Sequence, residues 1–217
     1  MVTHEQRDGW SRGTYHHGDL REALITTALE MISERGLAGF AVAELARAVG
    51  VSQGAPYRHF RDRNALVAEI ARRGFEQLAA DLDAARRATP LNPVAALGRC
   101  AQAHLTFAGR DGAVYAAMFA PGFPIKQYPD LLRARDAAFA VVREVAQAAC
   151  DQSLAQQKPP GLMMALHVWS MTHGIADLYV SHGEDGGGQL LMSPRELLEA
   201  GLLVYLQALE VFPKPGP

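Results

Sequence analysis

Long apolar runs are missing from this chain. No stretch of about 18 residues is uninterruptedly apolar, so the sequence offers no membrane-spanning helix. The opening MVTHEQRDGW lacks the apolar core of a signal peptide. Cysteine is scarce: Cys100 and Cys150 are the only two, far apart and in no Cys-x-x-Cys pair. That spacing fits a reducing cytoplasm, with both as small buried apolar residues. An excess of one charge is also lacking, and a net charge of −2 by itself argues against a protein that coats nucleic acid. Strand-like alternation and internal repeats at a 20–50-residue period are absent. So are Gly-x-Ser-x-Gly, His-Glu-x-x-His and a glycine-rich phosphate loop. GEDGGG at 183–188 follows no strand and lacks the Lys-Ser/Thr ending, which leaves it a flexible connection.

What remains is an ordinary soluble composition of 217 residues, 49% hydrophobic and 20% charged, enough for one large or two small domains with a real core. Alanine, the best helix former, occurs 37 times. The charge is uneven. Residues 1–75 carry 10 basic and 9 acidic residues, net +1, and residues 76–217 carry 11 and 14, net −3. Arginines 47, 58, 61 and 63 share their stretch with a single acid, Asp62. A local basic patch on an acidic body is the pattern to explain.

Periodicity and caps predict an all-α chain of about nine helices. The first runs from about Asp19 and stops at Gly36; Val42 to Val49 is the second, ended by Gly50. Ser52 is a candidate N-cap for a third over Gln53–Phe60. Further helices are expected at about 62–88, 93–108, 113–120, 130–153, 161–181 and 194–211, the last with Ser193 and Pro194 at N-cap and N1. Residues 1–17 read as a flexible arm, 18–70 as a helix-turn-helix domain, 71–212 as a ligand-binding and dimerisation domain, and 213–217 as a frayed tail.

The segment VAELARAVGVSQGAPYRHF, 42–60, has the requirements of a helix-turn-helix: small Ala46 at the crossing, Gly50 in the turn, and Leu45, Val49 and Val51 between the helices. Gln53, Tyr57, Arg58 and His59 are candidates to face a major groove, small Gly54 and Ala55 allow close approach, and Ser52, Arg61 and Arg63 are placed for phosphates. The alternative is a helical hairpin with a solvated polar face.

YHHGDLREALITTALEMISERG and AVAELARAVGVSQGAPYRHFRDRNALVAEI resemble the N-terminal domain of TetR-type (tetracycline-repressor-like) regulators, with Tyr57-Arg58-His59-Phe60 and Arg63-Asn64-Ala65-Leu66 as the specific elements. The resemblance implies a homodimer on a pseudopalindromic operator. It places Ser52, Tyr57, His59 and Arg63 at phosphate-contacting or helix-positioning sites, and Gln53, Ala55 and Arg58 at base-facing ones. Ala41 stands where the family often has Ser or Thr, at a cost of about 1 kcal/mol of capping. Pro56 sits inside the recognition helix. On this reading Arg63→Ala lowers the salt slope of DNA binding by about one unit.

WSMTHGIADLYV, 169–180, resembles the Trp-His-Gly type of ligand-binding domain through Trp169, His173 and Gly174. Asp177 continues that helical face and could bond His173, either as a polar anchor in an apolar pocket or as a core histidine satisfied by a carboxylate. Candidate pocket residues are His104, Phe107, Tyr115, Met118, Phe119, Phe123, Met163, Trp169, His173 and Asp177. Most could equally be core. The candidate dimer surface is Leu162, Leu166, Ile175, Leu178, Leu197, Leu198, Leu202, Tyr205, Leu206 and Leu209. His16, His17, His167 and His173 are not spaced as ligands, so no metal and no cofactor are expected. The expected function is a cytoplasmic, ligand-responsive repressor, not an enzyme, whose partners are operator DNA, a small largely apolar effector and a second copy, with no membrane. The alternative is an all-helical small-molecule-binding protein or enzyme with a vestigial helix-turn-helix.

Overall fold

A computed structural model describes residues 17–153, 159–180 and 192–208. The expected arm up to residue 16, the 183–188 loop, Leu209 and the 213–217 tail lie outside them. Among the described residues the chain is all-helical. Eight α-helices follow one another: α1 His17–Arg35, α2 Val42–Val49, α3 Arg63–Arg87, α4 Pro93–Arg110, α5 Gly112–Met118, α6 Pro129–Gln152, α7 Gly161–Val180 and α8 Pro194–Ala208.

The ends follow local chemistry. Gly36 at φ 74° stops α1, and Gly50 at φ 76°, ψ 29° stops α2; both are left-handed positions that glycine occupies without Cβ strain. Asp62 caps α3, its Oδ1 accepting the Ala65 N–H at 2.7 Å, and Asn92 caps α4 through the Ala95 N–H at 2.9 Å. Ser193 and Glu196 exchange bonds at the start of α8: Ser193 Oγ accepts the Glu196 N–H at 3.2 Å and Glu196 Oε2 accepts the Ser193 N–H at 2.8 Å. At Ala41 only half of that arrangement exists. Glu44 Oε2 accepts the Ala41 N–H at 3.0 Å, and no side chain returns a bond.

Two cores share α3. Leu66, Val67 and Ile70 join Leu24, Ile25, Ala28, Ile32, Phe40, Leu45 and Phe60 in a small head. One turn on, Ala71, Phe75, Leu78 and Leu82 enter the larger body core with α4, α6, α7 and α8. Cys100 and Cys150 are buried in that body, and burial pushes the Cys100 thiol up to about 11. A charge cluster ties α1 to α3: Glu69 accepts from Arg21 at 3.1 Å and Arg73 at 2.8 Å, and Arg73 also grips Glu22 at 2.6 and 2.7 Å. Burial pushes the Glu69 carboxyl up, but bonds from Arg72, Arg21 and Arg73 outweigh that and lower it to about 2.

The short helix α5 joins head and body. Ala113, Ala116 and Ala117 lie on the head core, while Tyr115 and Met118 belong to the body core. Close approach at this joint depends on Gly74 of α3. A Cβ there would sit 2.5 Å from Met118 Sδ and 2.6 Å from Val114 Cγ1.

Candidate nucleic-acid interface and effector site

The expected helix over Gln53–Phe60 is not an α-helix. The segment is a turn followed by one 3-10 turn, Pro56–Arg58. Gly54 carries the largest backbone entropy cost, and Pro56 has no N–H to donate to the Ser52 carbonyl, so an α-helix cannot propagate through the pair. Ser52 therefore caps no helix; its carbonyl accepts the Ala55 N–H at 3.0 Å. The Pro56 carbonyl accepts from both His59 and Phe60 at 2.9 Å, which swings Phe60 back into the head core.

This turn presents Ser52, Gln53, Gly54, Tyr57 and Arg58 to solvent, with Tyr57 54% exposed. Ala55 and His59 are half-buried. The exposed set is polar, aromatic and cationic on one small surface, which suits groove edges and phosphates.

Two arginines at its exit behave differently from the sequence expectation. Arg63 turns inward. Its Nε donates to the Phe40 carbonyl at 3.2 Å, Nη2 donates to the Leu37 carbonyl, and the guanidinium lies 4.6 Å from the Phe40 ring centroid. Its geometry is that of a brace holding the α1–α2 connection, in keeping with the helix-positioning alternative among the roles that the resemblance implies for it. Arg63→Ala is accordingly expected to lower the unfolding free energy by about 1.5–3 kcal/mol, since it removes charge-assisted bonds from two carbonyls. Its salt slope should stay at the wild-type value; a slope lowered by about one unit with unchanged stability would restore the phosphate role. Arg61 stays exposed, but Nη2 donates to the Tyr128 hydroxyl at 3.3 Å.

In the body, α4, α5, α6 and α7 bring six aromatic or imidazole side chains together. His104 Nε2 lies 3.1 Å from the Tyr115 hydroxyl, which lies 2.6 Å from His173 Nδ1. Tyr115 has one hydroxyl proton, so it donates to one imidazole and accepts from the other, and the tautomers of the two rings are linked. Phe119 stands 4.3 Å from the His173 ring and 4.6 Å from Tyr115, Trp169 is 4.7 Å from His104, and Phe139 meets Trp169 edge-on at 5.5 Å. His104 is 2% exposed; burial, reinforced by His173, depresses its pKa to about 3, so it is neutral. Burial also lowers His173, against an opposing pull from Asp177, and raises the Tyr115 hydroxyl.

Of the expected pocket residues, His104, Tyr115, Phe119, Trp169 and His173 converge here. Phe107 and Met118 are core packing around them. Phe123 turns away to stack on Tyr128 at 5.4 Å. Met163 lies 39% exposed on the outer face of α7, because the inward positions of that turn are Met164 and Ala165. Asp177 is exposed and its charge acts on His173, whose Nδ1 shares a hydrogen bond with the Tyr115 hydroxyl. A cleft of about 230 Å³ opens beside the cluster, lined by Phe119, Arg135, Asp136, Phe139, Leu166 and Trp169. Sequence reasoning missed Arg135, Asp136 and Phe139. All three lie within one turn of α6, a spacing that reveals a shared wall only once the opposite wall is known.

The expected dimer residues divide. Leu162, Leu166 and Leu178 are exposed on α7, joined by Leu203 and Val204 of α8. Ile175, Leu198, Leu202 and Leu206 are buried in the chain's own core, because α7 and α8 pack on each other and on α4. Leu197 and Tyr205 are half-buried between the two faces, and Tyr205 bonds His167 Nδ1 at 3.0 Å. No helix among the described residues is long and apolar enough to cross a membrane. Nor do they contain a group of three His, Cys, Asp or Glu fit to hold a metal ion.

Comparison with known proteins bears on both halves. Residues 24–70 match the family model for bacterial regulatory proteins of the tetR family, and residues 97–203 match a tetracyclin repressor-like C-terminal domain. The tetracycline repressor protein class C of Escherichia coli is 43% identical over 51 residues, which span 24% of this chain and 23% of that protein. A protein of unknown function from Rhodococcus sp. RHA1 superposes with TM-score 0.72 at 30% identity, covering 92% of this chain and all of that one. AibR, solved in complex with isovaleryl coenzyme A and operator DNA, shares the fold with TM-score 0.67 at 16% identity, covering 85% of this chain and 97% of that one. With a matching reading head and a matching body in the same chain, this protein belongs to the tetR family of bacterial regulatory proteins.

Proposed function

We propose that the chain is a ligand-responsive DNA-binding transcriptional repressor, released from a pseudopalindromic operator when a small, largely apolar effector enters the body. The observation that carries this reading is the double role of α5: one face packs on the DNA-reading head and the other presents Tyr115 to the aromatic cluster. An effector that entered the cleft at Phe119 and Trp169 would press on the same short helix that seats the head. It shifts the equilibrium only by its preference for one of the two head positions.

Pairing of two copies is part of the reading. Leu162, Leu166, Leu178, Leu203 and Val204 form an exposed apolar surface on adjacent helices, which two protomers would bury as an isologous four-helix bundle. That axis would set the separation of the two reading turns at one helical repeat of DNA, about 34 Å.

The test is selection of sheared genomic DNA on the purified protein. Enrichment of a palindromic duplex, released by an apolar compound, is the expected result. The double variant Gln53→Ala/Arg58→Ala should bind that duplex and unrelated DNA about equally, since each base contact contributes about 1–3 kcal/mol of discrimination. Recovery of no preferred sequence by the wild type would overturn the proposal.

A further inference from the structure

Arg61 is the one cation of the reading turn whose described contacts reach the effector domain. Its guanidinium lies 5.3 Å from the centroid of the Tyr128 ring, Nη2 donates to the Tyr128 hydroxyl at 3.3 Å, and Nε faces Asp62 Oδ2 at 3.2 Å. Asp62 cannot follow Arg61 elsewhere, because its other oxygen caps α3. The Tyr128 ring and hydroxyl and the Asp62 carboxylate thus hold Nη2 and Nε of this exposed guanidinium, and those two donors must be released before they can meet a phosphate. Arg21 and Arg72, which line one groove with Arg61 and Tyr128, are committed to Glu69 at 3.1 and 2.9 Å.

Tyr128 is well placed to control this. It ends the loop at 120–128 and precedes Pro129, the first residue of α6. Its ring stacks on Phe123, and Phe123 packs against both the head and the body cores. The loop begins next to Phe119 of the aromatic cluster and ends at Tyr128.

We propose that Tyr128 is a positioning residue that withholds Arg61 from DNA: a loop of the body holds a cation that the reading turn would otherwise place on a phosphate. The inference rests on the DNA-binding reading above and adds to it a contact by which the body sets operator affinity.

The test measures affinity against salt for the full-length wild type, Tyr128→Ala, Arg61→Ala and the double variant, on the duplex that the wild type enriches from genomic DNA. Tyr128→Ala should bind about fivefold more tightly at 0.15 M salt, with a slope steeper by about 0.9, the signature of one additional phosphate contact. Arg61→Ala should lower the slope more in the Tyr128→Ala background than in the wild type. A loop merely damaged by the substitution would weaken binding without steepening the slope. Tyr128→Phe, which removes only the hydroxyl, should move the slope the same way by less. Equal slopes for wild type and Tyr128→Ala, or the same effect of Arg61→Ala in both backgrounds, would overturn the latch while leaving DNA binding intact. If none of the four proteins prefers any duplex, the DNA-binding reading falls and the latch with it.

Discussion

Acidification from about pH 7.5 to about pH 4.5 is expected to remove about 2.7 kcal/mol of folding stability through His104 alone. Its pKa falls from the ordinary 6.5 to about 3 because burial penalises the imidazolium and His173 adds to the penalty. In the unfolded chain the ring takes its proton below pH 6.5, whereas the folded ring refuses it until pH 3. The stability is therefore complete above pH 6.5, declines by about 1.4 kcal/mol per pH unit below it, and stops declining near pH 3. His173, also lowered by burial, acts in the same direction. Glu69 belongs to a separate window: held at about 2 against an ordinary 4.5, it loses its contribution only below pH 4.5. The interval between 4.5 and 6.5 thus isolates the histidines. Urea unfolding across it should show a falling midpoint, and thermal unfolding should drop by about 5–11 °C. His104→Gln, still able to bond Tyr115, should lose most of this pH dependence. A wild type whose stability is flat between pH 6.5 and 4.5, or a variant with an undiminished slope, would remove His104 from this role.

The other large effect is expected at Gly74. Valine there places a branched carbon into space already occupied by Met118 and Val114, so α5 must move away from α3. Overpacking of this kind costs about 1–3 kcal/mol, and a branched side chain against a neighbouring helix belongs at the upper end, a fall in Tm of about 6–12 °C. Alanine should cost less, because about 1 kcal/mol of helix propensity returns and the Met118 thioether can swing aside. Gly98 of α4 is the control: a Cβ there meets nothing within 4 Å, so Gly98→Ala should be neutral or slightly stabilising. Calorimetry on the three variants decides the matter. A Gly74→Val protein as stable as the wild type would mean that α5 is not seated by this contact.

The sequence revealed most where a single residue type performs a local task. Gly36, Gly50, Asp62, Asn92 and Ser193 each end or begin a helix by their own chemistry, so those boundaries were readable to within a residue or two. The Gln53–Phe60 segment departs from an α-helix for an equally local reason, since Gly54 and Pro56 together oppose one. Other features depended on partners far along the chain. The leucines of α7 and α8 look alike in sequence; only the packing of α8 on α4 sends Leu198, Leu202 and Leu206 inward and leaves Leu203 and Val204 outward. Arg63 stands beside the reading turn in sequence, but the two carbonyls that it braces belong to residues 37 and 40. Gly74 carried the one usable distant signal. A glycine deep inside a long amphipathic helix is costly, and it marks a place where another element comes close.

The brevity of the turn at Pro56–Arg58 bears on how much information a single protomer can extract from DNA. A three-residue turn offers side chains to only a few base pairs, and each mismatch costs about 1–3 kcal/mol, while a genome presents about a million or more competing sites. One head alone would be a poor reader. Selectivity would then reside as much in the distance and phase between two heads as in either surface: one base pair inserted at the operator's centre turns the second half-site by about 34° around the duplex axis. The rigid body behind the heads would act as a ruler, and whatever bends it would erase the sequence preference before it abolished contact with DNA.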